Sequence, residues 1–279
     1  MGRPADRYRS NSEDSGHTPP RTAGSTPIAP VEFPRQSLGS QGLFYGVNQM
    51  DQKRLWELEV ERFEVRQADA WQWLETIPDE SLDLVVTDPP YESLEKHRAK
   101  GTTTRLKDSK ASSNKWFGTI PNELLPGLCR EIYRVTKPDR HVYLICDHET
   151  AWVLKPAMEA AGFKFWKPII WDKMAIGMGY HYRARYEVVL FGEKGKRKLN
   201  DLSIPDILTH KRVHGGIPAE KPVGLLKDLI GQSTQPGEVV ADPFMGSGSA
   251  GAAALELGRR FVGCDINSAL VSHVTKRLL

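Results

Sequence analysis

Residues 82–87, Leu82-Asp83-Leu84-Val85-Val86-Thr87, form an apolar, β-branched run that stops abruptly at Asp88-Pro89-Pro90-Tyr91. A run of that kind reads as a buried strand. Proline cannot donate to a ladder, and each proline drives the residue before it out of the α region. The strand must therefore end in a stiff, extended turn. That points to an open α/β sheet, whose ligands sit beyond the carboxyl ends of the strands. In that position the Asp88 carboxylate and the proline carbonyls are outward acceptors, and Tyr91 offers an aromatic face. Taken alone, such a turn is also compatible with a purely structural role.

A second strand-to-turn unit narrows the choice. Val239-Val240-Ala241 leads into Asp242-Pro243-Phe244-Met245-Gly246-Ser247-Gly248-Ser249-Ala250-Gly251, and an alanine-rich helix follows over 252–257. Glycines let a ligand approach the backbone, while turn amides and a helix amino terminus face it. Arg260-Phe261-Val262-Gly263-Cys264-Asp265 reads as the next strand, ending in an acid 23 positions after Asp242. Dinucleotide folds place the acid that meets ribose hydroxyls at a similar spacing. Gly246, Gly248 and Gly251 fit G-x-G-x-x-G, but the Asp-Pro-Phe lead-in is unlike a pyrophosphate cradle and favours a ligand without phosphates. A plain tight turn is the alternative.

Together the two units resemble the amino-methyltransferases that act on DNA with S-adenosylmethionine. Asp88-Pro-Pro-Tyr91 resembles their catalytic motif, and Asp242-Pro-Phe-Met-Gly-Ser-Gly248 resembles their cofactor loop; the order is that of the β group. Gln67-Ala68-Asp69-Ala70, the stretch Pro78 to Asp83, Glu131 to Pro138, and Glu220-Lys221-Pro222 onward to Leu226 extend the resemblance over roughly residues 55–279. One departure stands out: Ile217-Pro218-Ala219-Glu220 occupies the place of the family's His-Pro-Thr-Gln. The polar contacts of that Thr and Gln are not expected here, although the helix start is.

The resemblance implies an α/β fold: a seven-stranded class I methyltransferase (Rossmann-like) sheet with helices on both faces and an antiparallel edge from the 163–191 strands. The motif order is permuted, with the catalytic motif before the cofactor loop. It implies site-specific methyl transfer from S-adenosylmethionine to adenine N6 in duplex DNA, with the base flipped out of the stack. The N6 lone pair is delocalised into the ring. Acceptance of the two amine hydrogens by Asp88 and the Pro89 carbonyl would localise it for direct in-line transfer, with Pro90 stiffening the turn and Tyr91 replacing lost stacking. Gly246 and Gly248 would let the backbone approach the methionine part, with Phe244 packed nearby and Asp242 anchoring the loop or the amine. Asp265 would meet the ribose, and Asp69 and Ala70 would lie near the cofactor adenine. Lys221 would be a carboxylate contact or a surface cation.

Cytosine-N4 methylation is the nearest rival, since it uses the same amine chemistry; an Asp heading the turn leans towards adenine. RNA or protein amide methylation goes with the opposite motif order. A nucleotide-dependent oxidoreductase would need a pyrophosphate cradle near the amino terminus. A non-catalytic nucleic-acid-binding relative would be expected to lack Asp88 or Gly246.

Residues 41–279 are expected to form the methyltransferase domain. Residues 1–40, rich in Pro, Ser and Gly and without periodicity, read as a disordered or loosely docked tail. Gln52 to Arg66 reads as a short helix entering a strand. Residues 95–117 are polar and basic, and their place just after the catalytic turn suggests phosphate contacts from Arg98, Lys100, Arg105 and Lys107, against an ordinary solvated insertion. The loop 174–185, between two aromatic strands expected to be mostly core, carries Tyr182 and Arg183, residue types suited to DNA contact. Residues 193–216 stand where the family carries target-recognition sequence.

With 279 residues, 39% hydrophobic and 26% charged, the chain can bury one sizeable α/β core. A net charge of +3 is only mildly basic, so charge distribution matters more than its sum. Cys129, Cys146 and Cys264 are scattered, and none follows a proline as the nucleophile of cytosine-C5 enzymes does. His181, His210 and His214 lack metal-ligand spacing, so no metal is expected. No apolar leader or membrane-length run is visible. The expectation is a soluble, cytoplasmic, DNA-associated protein. Its partner would be double-stranded DNA, and the restriction–modification resemblance adds a second copy of the chain and a cognate restriction endonuclease.

Overall fold

The computed structural model describes residues 60–93, 118–177 and 182–279. Eight strands lie within them: β1 Phe63–Gln67, β2 Leu82–Thr87, β3 Thr136–Cys146, β4 Lys164–Asp172, β5 Tyr186–Lys194, β6 Ile207–Thr209, β7 Val239–Asp242 and β8 Arg260–Asp265. They form a single sheet in the order β1-β8-β7-β2-β3-β5-β4-β6. The first five in that order pair in parallel, β5 runs antiparallel to β3 and β4, and β6 joins β4 in parallel.

Two expectations need correction. The sheet has eight strands rather than seven, and the 163–191 pair is not its edge, because β6 covers β4. The extra strand falls inside the 193–216 stretch. It is three residues long with only Leu208 turned into the core, too short for a periodicity to be read.

Helices α1 Ala70–Thr76, α2 Leu125–Val135 and α3 Ala151–Ala161 cover one face, and α4 Val223–Ser233, α5 Ser249–Glu256 and α6 Ser268–Leu278 cover the other. Each presents an apolar stripe; in α2 it is Leu125, Leu128, Cys129, Ile132 and Val135, at the three- and four-residue spacing of one helical face. All six residues of β2 are buried. Val85 packs into one core layer and Leu84 and Val86 into the other, which is why this strand shows no polar alternation.

Asp83, the one acid in that run, is satisfied in place. Its carboxylate accepts from Lys137 Nζ at 3.1 Å, Arg140 Nε at 3.1 Å and the Val239 amide at 2.9 Å. The last of these bonds fixes β7 beside β2, so the two motif-bearing strands end side by side.

Of the strand aromatics, Phe163, Trp171 and Phe191 are core, whereas Trp166 and Tyr186 are exposed. Among the described residues, no helix is long and apolar enough to cross a membrane. The 1–40 tail, the helix expected from Gln52 and the 95–117 loop with Arg98, Lys100, Arg105 and Lys107 lie outside the described residues.

Candidate active site

Because β2 and β7 are parallel neighbours, both turns leave the same end of the sheet. Thr87, the last residue of β2, donates its hydroxyl to Asp242 Oδ1 at 2.7 Å, tying the turns together. They share one cavity of about 490 Å³, closed by the amino end of α1, by Thr119 and Ile120, by Glu187 of β5 and by residues 217–221.

Asp88 lines this cavity with a quarter of its side chain accessible. Its Oδ2 is ion-paired with the Lys221 ammonium, and its buried Oδ1 finds no hydrogen-bond donor among the described residues. Burial pushes the carboxyl up to about 6, against the opposing pull of Lys221. Pro89 and Pro90 hold the turn extended. The Pro90 carbonyl does not face outward, because it accepts the Ile120 amide at 2.7 Å. Tyr91 is buried and lines the cavity.

On the glycine-loop side, Asp242 also accepts the Phe244 amide at 3.0 Å, so of its two expected roles the structure displays the loop anchor. Burial raises its carboxyl to about 7. Asp265 lines the cavity while accepting the Gly246 amide through Oδ2 at 3.1 Å and the Asn267 amide through Oδ1 at 2.8 Å. A carboxylate has four lone-pair sites, so capacity for a ligand hydroxyl remains. Asp69 caps α1 by accepting from the Trp71 and Gln72 amides, and Ala70 and Phe244 line the same cavity, Phe244 edge-on to Trp71.

The two loop glycines part company. A Cβ on Gly246 would meet nothing nearer than the Phe244 carbonyl at 3.9 Å, leaving open space at the cavity wall. A Cβ on Gly248 would strike Val274 at 2.7 Å. Gly248 thus packs against α6, which its missing side chain faces at φ +77°, and it is not among the residues that line the cavity.

Lys221 is not a surface cation; it is 8% exposed and serves Asp88 and Glu187. Tyr182 and Arg183 are exposed and do not line the cavity, and residues 178–181 between them and Gly177 lie outside the described residues. In the 193–216 stretch, Arg197 pairs with Glu238 at 3.3 Å and is tied into the structure.

The sequence reading missed Glu187 and Lys173, which pair at 2.7 Å beside Asp88. A signal for Glu187 existed: it is the one charge in Tyr186-Glu187-Val188-Val189-Leu190-Phe191. A charge in such a strand is retained where it has a partner.

Comparison with known proteins agrees with this geometry. The family model described as DNA methylase, covering N6 and N4 methyltransferases, matches residues 82–276 and so includes both turns. The DNA adenine methyltransferase YhdJ of Escherichia coli (strain K12) is 27% identical over 249 residues, covering 75% of this chain and 80% of that protein. The M1.HpyAVI–SAM complex superposes with a TM-score of 0.58 at 22% identity, over 77% of this chain and 100% of that one. The PvuII DNA methyltransferase, cytosine-N4-specific, gives 0.62 at 16% identity, over 79% and 87%. The chain belongs to the DNA methylase family of N6 and N4 methyltransferases.

Proposed function

We propose that this DNA methyltransferase transfers a methyl group from S-adenosylmethionine to the N6 amine of a flipped adenine in duplex DNA. The observation that carries the reading is Asp88 Oδ1, a buried carboxylate oxygen that lines the cavity without a hydrogen-bond donor among the described residues. A buried acceptor left open calls for an outside donor, and an exocyclic amine is one. With the Pro90 carbonyl taken by Ile120, Pro89 supplies the second acceptor. A carboxyl titrating near 6 is an anion at neutral pH, and basic enough to take the proton the amine sheds as nitrogen gains its new bond. Tyr91 supplies a ring for the base that has left its stack.

The residues across the cavity suit the cofactor. The open space at Gly246 accommodates a ligand chain against the backbone, Asp265 can accept ribose hydroxyls, Phe244 packs along the ligand, and Asp69 and Ala70 border its base. When bound, S-adenosylmethionine supplies the activated methyl group. Arg98, Lys100, Arg105 and Lys107, with Tyr182 and Arg183, are assigned to contacts with DNA phosphates and bases. A cytosine-N4 target is the second reading, favoured by the likeness to the PvuII enzyme. The test is to incubate the chain with unmethylated genomic DNA and labelled S-adenosylmethionine, then separate the nucleosides. N6-methyl-2′-deoxyadenosine is expected. N4-methyl-2′-deoxycytidine alone would reassign the base, and no labelled nucleoside would defeat the reading.

A further inference from the structure

Lys221 Nζ donates to Asp88 Oδ2 and to the Ala219 carbonyl at 3.3 Å, and pairs with Glu187 Oε2 across 3.5 Å. Two of the ammonium's hydrogen bonds are thus made, to Asp88 and to the Ala219 carbonyl, and its charge is set between the carboxylates of Asp88 and Glu187. Glu187 is held in turn through Oε1 by Lys173 at 2.7 Å. Lys173, Glu187, Lys221 and Asp88 thus form a chain of alternating charge that ends at the catalytic turn.

We propose that Lys221 is a positioning residue for methyl transfer: braced by Glu187, it grips Asp88 by Oδ2 so that Oδ1 is the oxygen presented to the target amine. The inference rests on the reading of Asp88 as the amine acceptor. A carboxylate free to rotate would share its two oxygens between the amine and any nearby donor. Gripping one oxygen from Lys221 fixes the plane of the other, and misplaced acceptors forfeit much of their catalytic effect. The same grip favours the ionised form that an acceptor must have.

The groups that face Asp88 set opposite signs for two substitutions. Lys221 and Lys173 hold its carboxyl down, Glu187 pushes it up, and Asp242, Tyr91 and Cys146 are the further ionisable neighbours among the described residues. Removing Lys221 should therefore raise the Asp88 titration, and removing the Glu187 charge should lower it. A general loosening of the fold would not move the two in opposite directions.

The experiment is a carboxyl ¹³C titration of the full chain without cofactor, with Asp88→Asn identifying the Asp88 signal. The wild-type midpoint is expected near 6. Lys221→Met should raise it by at least about one pH unit, Glu187→Gln should lower it, and Lys221→Arg should stay close to wild type. In single-turnover transfer to unmethylated DNA, Lys221→Met should lose roughly tenfold or more at neutral pH. The acid limb should move to higher pH, while calorimetric affinity for S-adenosylmethionine changes less than about threefold. An unchanged midpoint overturns the proposal, and so does lost cofactor affinity with the rate intact at saturation. If Lys221→Met does not fold, the Glu187→Gln shift decides: no downward movement refutes the brace. Full transfer by Asp88→Ala would instead defeat the acceptor reading, while the titration would still report whether Lys221 governs Asp88.

Discussion

Thr87 and Asp242, 155 positions apart, are joined by a 2.7 Å hydrogen bond between the last residues of adjacent strands. The same Asp242 oxygen accepts the Phe244 amide. One carboxylate oxygen therefore sets both the glycine loop and its distance from the Asp88 turn. A methyl donor and an amine must meet within a few tenths of an ångström, and rigid sheet ends coupled by such a bond can hold that separation.

Thr87→Val keeps the shape and removes the donor. Leaving a buried acceptor short of one partner should cost about 1–3 kcal/mol of unfolding free energy, read from urea denaturation. Affinity for S-adenosylmethionine should fall with it, because the loop loses half its anchor. Unchanged stability and affinity would mean that the strand register alone fixes the loop.

The Asp242 carboxyl sits at about 7, raised from 3.8 chiefly by burial. A raised acid binds its proton more tightly in the folded state. Its stabilising contribution is full below the unfolded pKa, and is lost as pH rises from about 4 through about 7. Asp88 acts in the same direction up to about 6. Asp242→Asn should therefore flatten the decline in stability between pH 5 and 8, by at most about 1.4 kcal/mol per pH unit for one proton. Denaturation midpoints of both proteins across that range provide the check; parallel curves would refute the assignment.

Asp88→Ala should lower turnover by at least ~100-fold, as expected when a positioned acceptor is lost. S-adenosylmethionine affinity should stay within a few-fold. Wild-type turnover should fall on acidification through about 6, where the Asp88 carboxyl gains its proton and can no longer take the one the amine sheds. Tyr91→Phe should be mild because the ring survives, whereas Tyr91→Ala should not be. Near-normal turnover of Asp88→Ala in a steady-state assay would remove Asp88 from the chemistry.

Both turns, the strands that carry them and the parallel core between were legible in the sequence because each is a local signal. An apolar run broken by Pro89 and Pro90, and glycines between a strand and an alanine-rich helix, depend on nearest neighbours. What escaped depends on contacts across the chain. Lys221 stands beside Glu220 between Ala219 and Pro222, and nothing local reveals that it is buried against Asp88, 133 positions earlier. Glu187 became meaningful only once β5 lay beside β3 and its side chain reached Lys221. Gly248 fitted the ligand-approach pattern as well as Gly246 did, since a sequence does not say which side of a turn faces α6. The short β6 was hidden for the opposite reason, having too few residues to show a period.

That division of the two glycines yields the last prediction. Gly246→Ala adds a methyl group to open space at the cavity wall, where the nearest protein atom is 3.9 Å away. The backbone there has φ +47°, a left-handed value that alanine adopts at a cost of roughly 1 kcal/mol. The protein should fold with a modestly lower denaturation midpoint, but S-adenosylmethionine affinity should drop by at least about tenfold, because the methyl occupies ligand space. Gly248→Ala carries the same kind of backbone strain at φ +77° and adds a methyl 2.7 Å from Val274 Cγ1. Overpacking of that kind typically costs about 1–3 kcal/mol, so this variant should lose more stability than Gly246→Ala. Gly248→Ala should cost less stability in a Val274→Ala background, where the contact is vacated, than in wild type, whereas the cost of Gly246→Ala should be the same in both. Calorimetric titration beside urea denaturation of wild type, the three single variants and the two double variants tests the assignment. Equal losses of affinity at both glycines, with no rescue by Val274→Ala, would show that Gly248 too faces the ligand.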